Sequence, residues 1–102
     1  MTDERAVSTL HVEGELTIYR AAELCADFRK ALAGDGDLEV HLAMVTEMDS
    51  AGLQLLVAAR KAAVAAGRGV RLVAPSPAVR EVFGILDPDA QLGLLAPTEE
   101  AA

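Results

Sequence analysis

The chain has 102 residues, about one small domain with room for a modest core. Hydrophobic residues make up 52% and aromatic residues only 3%, so Ala, Val and Leu must fill the interior, as in helices packed on a sheet, and general disorder is excluded. The formal net charge of −7 excludes a nucleic-acid ligand, because binding a phosphate backbone requires clustered Lys and Arg to displace counterions.

Residues 1–6 are polar or small and unpatterned, and read as a flexible start. Met1-Thr2-Asp3-Glu4-Arg5 has neither the basic start nor the apolar core of a signal peptide, and no apolar run in the chain approaches the roughly 20 residues of a membrane span. A cytoplasmic protein without membrane insertion is therefore expected. The folded domain is expected over 7–96, with 97–102 as a flexible end.

From Val7 to Val12 apolar residues alternate, with Leu10 and Val12 on one side and Thr9 and His11 on the other, which predicts a half-buried strand ended or turned by Gly14. Leu16-Thr17-Ile18-Tyr19 is short and β-prone. Arg20 to Leu32 carries Leu24, Phe28 and Leu32 at i, i+4 and i+8, the stripe of an amphipathic helix. Cys25, the single cysteine, can form neither an internal disulfide nor a metal knuckle, and is expected to pack as a small hydrophobe.

Gly34-Asp35-Gly36-Asp37 is a turn cluster. After it, Leu38, Val40, Leu42 and Met44 alternate with Glu39, His41, Ala43 and Val45, a second strand that begins polar on one face. Met48-Asp49-Ser50-Ala51-Gly52 leads into Leu53, Leu56, Val57 and Val64 on one helix face, with Gln54, Ala58 and Lys61 opposite. Gly67-Arg68-Gly69 stops this helix. It follows a helix and precedes a strand, the reverse of a phosphate loop, and so reads as a C-cap and turn.

Val70, Leu72 and Ala74 alternate with Arg71 and Val73 in a third strand. Pro75-Ser76-Pro77 ends it, and Ser76 or Pro77 opens a helix whose apolar face is Val79, Val82, Phe83 and Leu86. Asp87-Pro88-Asp89 closes that helix, and Leu92-Gly93-Leu94-Leu95 reads as a weak last strand. The fold class is thus α/β, with a small, mainly parallel sheet of about four strands. Because His11, Glu39, His41 and Arg71 make one side of the strands polar, the helices are expected largely on one face.

Asp49 and Ser50 are favoured helix N-caps and can serve as that alone. A phosphate on Ser50 would instead meet free backbone N–H groups and the positive end of the helix dipole, so a modified serine fits here without unfolding. Hydrolysis is disfavoured, since Asp49-Ser50-Ala51-Gly52 lacks the first glycine of a G-x-S-x-G elbow and no His is placed as base. His11 and His41 lack metal-ligand spacing and read as exposed sheet-face residues; no metal or cofactor is expected. Asp35, Asp37, Glu99 and Glu100 read as solvated surface.

Met48-Asp49-Ser50-Ala51-Gly52-Leu53, between strand and helix, resembles the D-S/T-x-G-L signature of STAS domains, the family of bacterial anti-sigma-factor antagonists. Gly14-Glu15-Leu16, Gly67-Arg68-Gly69-Val70-Arg71-Leu72 and Ser76-Pro77-Ala78-Val79 follow in the family's order, so the resemblance covers roughly Val7 to Leu95. It implies a non-enzymatic, protein-binding switch in which a partner that is both serine kinase and anti-sigma factor phosphorylates Ser50. The docking surface it implies is Thr17, Ile18, Tyr19, Met48, Asp49, Ser50, Ala51, Gly52 and Gln54, although for Ile18 and Tyr19 a buried staple against the first helix is nearly as good a reading.

Thr17 stands where better-known antagonists carry aspartate, and the leader is shorter than theirs. Leu16-Thr17-Ile18-Tyr19-Arg20-Ala21-Ala22-Glu23-Leu24 is more similar to compact STAS proteins of chemotaxis clusters or lipid-transport ATPases. In that case the partner is a component of the array or the ATPase, and Ser50 contacts it unmodified. Some STAS relatives bind nucleotides or lipids on the open sheet face, but no Gly-rich phosphate loop is present here.

Overall fold

Strands and helices alternate along the chain: β1 (Ser8–Leu16), a 3-10 turn at Ile18–Arg20, α1 (Ala21–Leu32), β2 (Leu38–Met48), α2 (Ser50–Ala65), β3 (Val70–Val73) and α3 (Pro77–Leu86). The structure, a computed structural model, describes residues 7–34, 36–89 and 92–94. The ends read as flexible, Asp35 of the turn cluster, Leu95 of the weak last strand, and Glu99-Glu100 lie outside the described residues.

The fold class is the α/β arrangement expected. β1, β2 and β3 form one sheet in that order, and both pairings are parallel. Leu10, Val40 and Leu72 line up across the strands on the inward face, where α1 packs on β1, α2 on β2 and β3, and α3 on β2. Leu24 and Phe28 of α1, Leu53 and Leu56 of α2, and Val79 and Phe83 of α3 join Val12, Leu16, Leu38 and Val40 in one core. Cys25 is free and half-buried on α1.

The other sheet face is wet. His11 and His41 stand opposite each other in register and stack with ring centroids 4.6 Å apart. Beside them Glu39 takes both Arg71 and His41, and these partners, Arg71 first, hold its carboxyl below the usual range.

Three strands are present among the described residues, not about four. Leu92-Gly93-Leu94 is a turn, because both backbone groups of Leu92 are committed to side chains. Its N–H donates to Asp87 Oδ2 at 3.0 Å and its carbonyl accepts from Arg60, which leaves Leu92 nothing to offer a ladder. Gly14 does not end β1. At φ +80° it carries the strand through a register shift that a side-chain-bearing residue would resist, and pairing continues to Leu16.

The second strand departs from strict alternation. β2 uses one more residue than β1 between the His11–His41 and Glu13–Met44 pairs, and another between Gly14–Val45 and Glu15–Glu47. The first bulge flips the phase after Leu42, so Val45 is buried at 3% exposed while Met44, expected inside, is 63% exposed.

On α2 the buried stripe is Leu53, Leu56, Ala59 and Ala63, and Val64 is exposed. On α3 Val79 and Phe83 are buried, Val82 is half-buried and Leu86 is exposed. The caps fall where expected. Ser76 Oγ accepts from the Val79 N–H with Pro77 as first helical residue. After α2, the Arg68 and Gly67 N–H groups return to the Ala63 and Val64 carbonyls.

Candidate functional site

The C-terminal ends of β1 and β2 lie side by side, with Leu16 paired to Met48. This pairing brings together the segments that leave the two strands, the 3-10 turn after β1 and the start of α2 after β2. β-prone as Leu16-Thr17-Ile18-Tyr19 is, only Leu16 stays in the strand; the Arg20 N–H closes on the Thr17 carbonyl at 3.0 Å. The Arg20 guanidinium then donates back to the carbonyls of Glu13 and Glu15 and pairs with Glu23, so the turn is clamped to its own strand.

Asp49 joins the two segments. One carboxylate oxygen accepts from the Gly52 N–H at 2.9 Å, capping α2, and the other accepts from the Ile18 N–H at 3.1 Å. These two bonds to backbone amides, Ile18 first, hold the Asp49 carboxyl below its ordinary range. A group that reads in the sequence as a helix cap is also the bolt between two loops.

Gly52 is buried because α2 begins against β1. A Cβ on it would lie 2.1 Å from the Leu16 carbonyl oxygen. The close backbone approach that this glycine permits is thus within the chain.

Ser50 is the first residue of α2 and is exposed, with its neighbours Met48 and Ala51 half-buried. Ile18, Tyr19 and Gln54 are also exposed; Tyr19 is 88% exposed, which rules out the buried staple. Thr17 is 7% exposed and donates its hydroxyl to Glu15 Oε1 at 3.3 Å. Of the nine candidate residues, Thr17 and Gly52 therefore build the site from beneath while the others reach the surface.

His41 stands seven residues before Met48 on β2, roughly 20 Å of strand. Neither it nor its neighbour His11 approaches Ser50 as a base. Among the described residues no group of three or more His, Cys, Asp and Glu is placed to hold a metal ion, and no helix is long and apolar enough to cross a membrane.

A groove of about 600 Å³ opens beside the site. Thr17, Tyr19, Met48 and Asp49 form one side, and α3 supplies Glu81, Val82 and Ile85 on the other. None of the nine docking candidates lies on α3. The available signal was Ile85, a large apolar residue off the apolar stripe of its helix, now 69% exposed.

The family model described as "Mlab, STAS domain" matches residues 1–96. No curated protein matches the chain at a significant level. Among solved structures, the anti-sigma factor antagonist SpoIIAA in its unphosphorylated form is similar over 99% of this chain and 90% of its own, with 24% identity and a TM-score of 0.65. The STAS domain of a SulP transporter from Vibrio cholerae is similar over 98% of this chain and 80% of its own, with 20% identity and a TM-score of 0.63. At these identities the likeness to both structures is one of fold.

Proposed function

The chain belongs to the STAS domain family, and from that premise we propose that it is a non-enzymatic, protein-binding regulatory switch of the anti-sigma-factor-antagonist kind. Its docking surface is the joined end of the 3-10 turn and α2, and its partner is a serine kinase of the anti-sigma type that phosphorylates Ser50 in the cytoplasm. The observation that carries this reading is the exposed Ser50 hydroxyl on the first residue of a helix whose start Asp49 bolts to Ile18.

A phosphate on Ser50 would lie at the positive end of α2, so the fold tolerates it. It would add about −1.5 to −2 charges beside Asp49 and close to Glu47. A partner that packs tightly on the neutral hydroxyl would then have to desolvate a large anion, and the close contact is lost. Such a switch needs no change of shape in the domain.

A second reading is supported by the transporter-derived fold neighbour. In it the chain is an unmodified accessory subunit of a lipid-transport ATPase or a chemotaxis array, and the Ser50 hydroxyl is simply a contact. Intact-mass and phosphosite mass spectrometry on protein purified from its own host, wild type against Ser50→Ala, separates the two. Phosphate on Ser50 that is absent from the variant supports the switch; none under any growth condition supports the accessory subunit.

A further inference from the structure

Resting on the reading that this end of the fold is the docking surface, we propose that the groove between the 3-10 turn and α3 receives a basic, amphipathic helical segment of the protein partner. An apolar side chain of that segment sits between Tyr19 and Ile85, and its Lys or Arg side chains lie over Glu15, Glu47 and Glu81.

The charge pattern is the first argument. Glu15 and Glu47 are directly paired across β1 and β2, an arrangement that costs a sheet stability, and Glu81 faces the same groove from α3. No Lys or Arg lines the groove. Arg20, whose charge reaches Glu15, spends its donors on the Glu23 carboxylate and on the carbonyls of Glu13 and Glu15. Among the described residues neither Glu47 nor Glu81 has an ion-pair partner. The fold gains no ion pair from Glu47 or Glu81, whereas a cationic ligand would relieve them.

The apolar side chains are the second argument. Tyr19 and Ile85, 88% and 69% exposed, stand on opposite sides of the same groove, with the half-buried Val82 next to Ile85 along α3. Large side chains exposed in this way are anchors for an apolar residue, and an aromatic beside carboxylates also suits a cation. An amphipathic helix that lays its apolar face into a groove lined by such anchors is a recurring mode of recognition. Anionic lipids and nucleic acids meet the wrong sign of charge here.

The groove and Ser50 then divide the work. Groove carboxylates steer and hold the basic segment, while the Ser50 contact decides whether the partner seats closely. A negative charge at Ser50 therefore leaves the groove able to bind.

The test is titration of the ¹⁵N-labelled chain at low salt with a synthetic Leu/Lys amphipathic peptide of about four helical turns, with a Leu/Glu counterpart as control. Amide shifts are expected at Tyr19, Thr46, Glu81 and Ile85 with the basic peptide alone. Its affinity is expected to fall about threefold or more in Glu81→Lys and in Ile85→Asp, each checked for a native circular-dichroism spectrum, and to hold in Asp27→Lys on α1. Absent shifts, shifts spread over α1, or an equal loss in Asp27→Lys would overturn the groove assignment while leaving the Ser50 reading standing. Groove binding together with a Ser50 that is never phosphorylated would sink the switch and leave the groove.

Discussion

The carbonyl oxygen of Leu16 lies 2.1 Å from where a Cβ on Gly52 would stand, so the end of β1 and the first turn of α2 meet backbone to backbone. In an exposed helix Gly→Ala gains about 1 kcal/mol from propensity. Here the added methyl strikes a carbonyl that cannot swing away, and overpacking of this kind costs about 1–3 kcal/mol. Gly52→Ala is accordingly expected to be net destabilising in urea denaturation. It is also expected to shift the amide resonance of Ile18, because α2 must back away from the turn that Asp49 holds.

Asp49 sets an acid dependence whose direction is fixed by its two amide bonds. Its carboxyl is held below the ordinary range, by Ile18 first and Gly52 second, so it contributes stability that is fully present above the unfolded-state value of about 4 and is lost as pH falls through the lower folded-state value. Asp49→Asn keeps a capping oxygen without the charge. The difference in stability between wild type and Asp49→Asn is expected to narrow below about pH 4, read from urea midpoints across an acid series. A constant difference would show that the carboxylate is not held by these amides.

Local chemistry accounts for what could be read from the residues alone. The start of α2 at Asp49-Ser50 and of α3 at Ser76-Pro77, and the Leu24–Phe28 stripe of α1, rest on caps and periodicities spanning a few residues. What could not be read depends on distant partners. Met44 turns outward because β2 carries an extra residue against β1, and no pattern within β2 records that bulge. Glu81 and Ile85 join the site only because α3 packs on β2 opposite the 3-10 turn. Gly52 permits a backbone approach that no neighbouring residue in sequence records, because the group it admits is the carbonyl of Leu16.

Arg68, read from sequence as part of a plain turn, is 7% exposed and reaches the end of α1. Its guanidinium donates to the carbonyls of Leu32 and Gly36, closing the C-terminus of α1 and the turn before β2, while one Nη is buried without a partner among the described residues. Charged hydrogen bonds of this kind contribute about 1.5–3 kcal/mol. Arg68→Lys is expected to recover little of the loss seen in Arg68→Ala, because an ammonium cannot reproduce a fork between two carbonyls. Thermal unfolding of both variants checks this, and full rescue by Lys would show that only the charge matters.

Glu47 faces Glu15 across the strand pair, and Glu15 is held in place by the Thr17 hydroxyl. Neutralising one member removes a like-charge contact without disturbing the backbone ladder. Glu47→Gln is therefore expected to raise stability by a few tenths to about 1 kcal/mol at low ionic strength. The gain is expected to shrink at about 1 M salt, where charges are screened within about 3 Å. Urea denaturation at the two salt concentrations gives the comparison, and Ala43→Gln, an exposed substitution on the same strand that leaves both carboxylates in place, controls for adding a polar side chain. A stabilised Glu47→Gln that also binds the basic peptide less tightly would mean that this carboxylate is kept for its partner, since the isolated domain is better off without it.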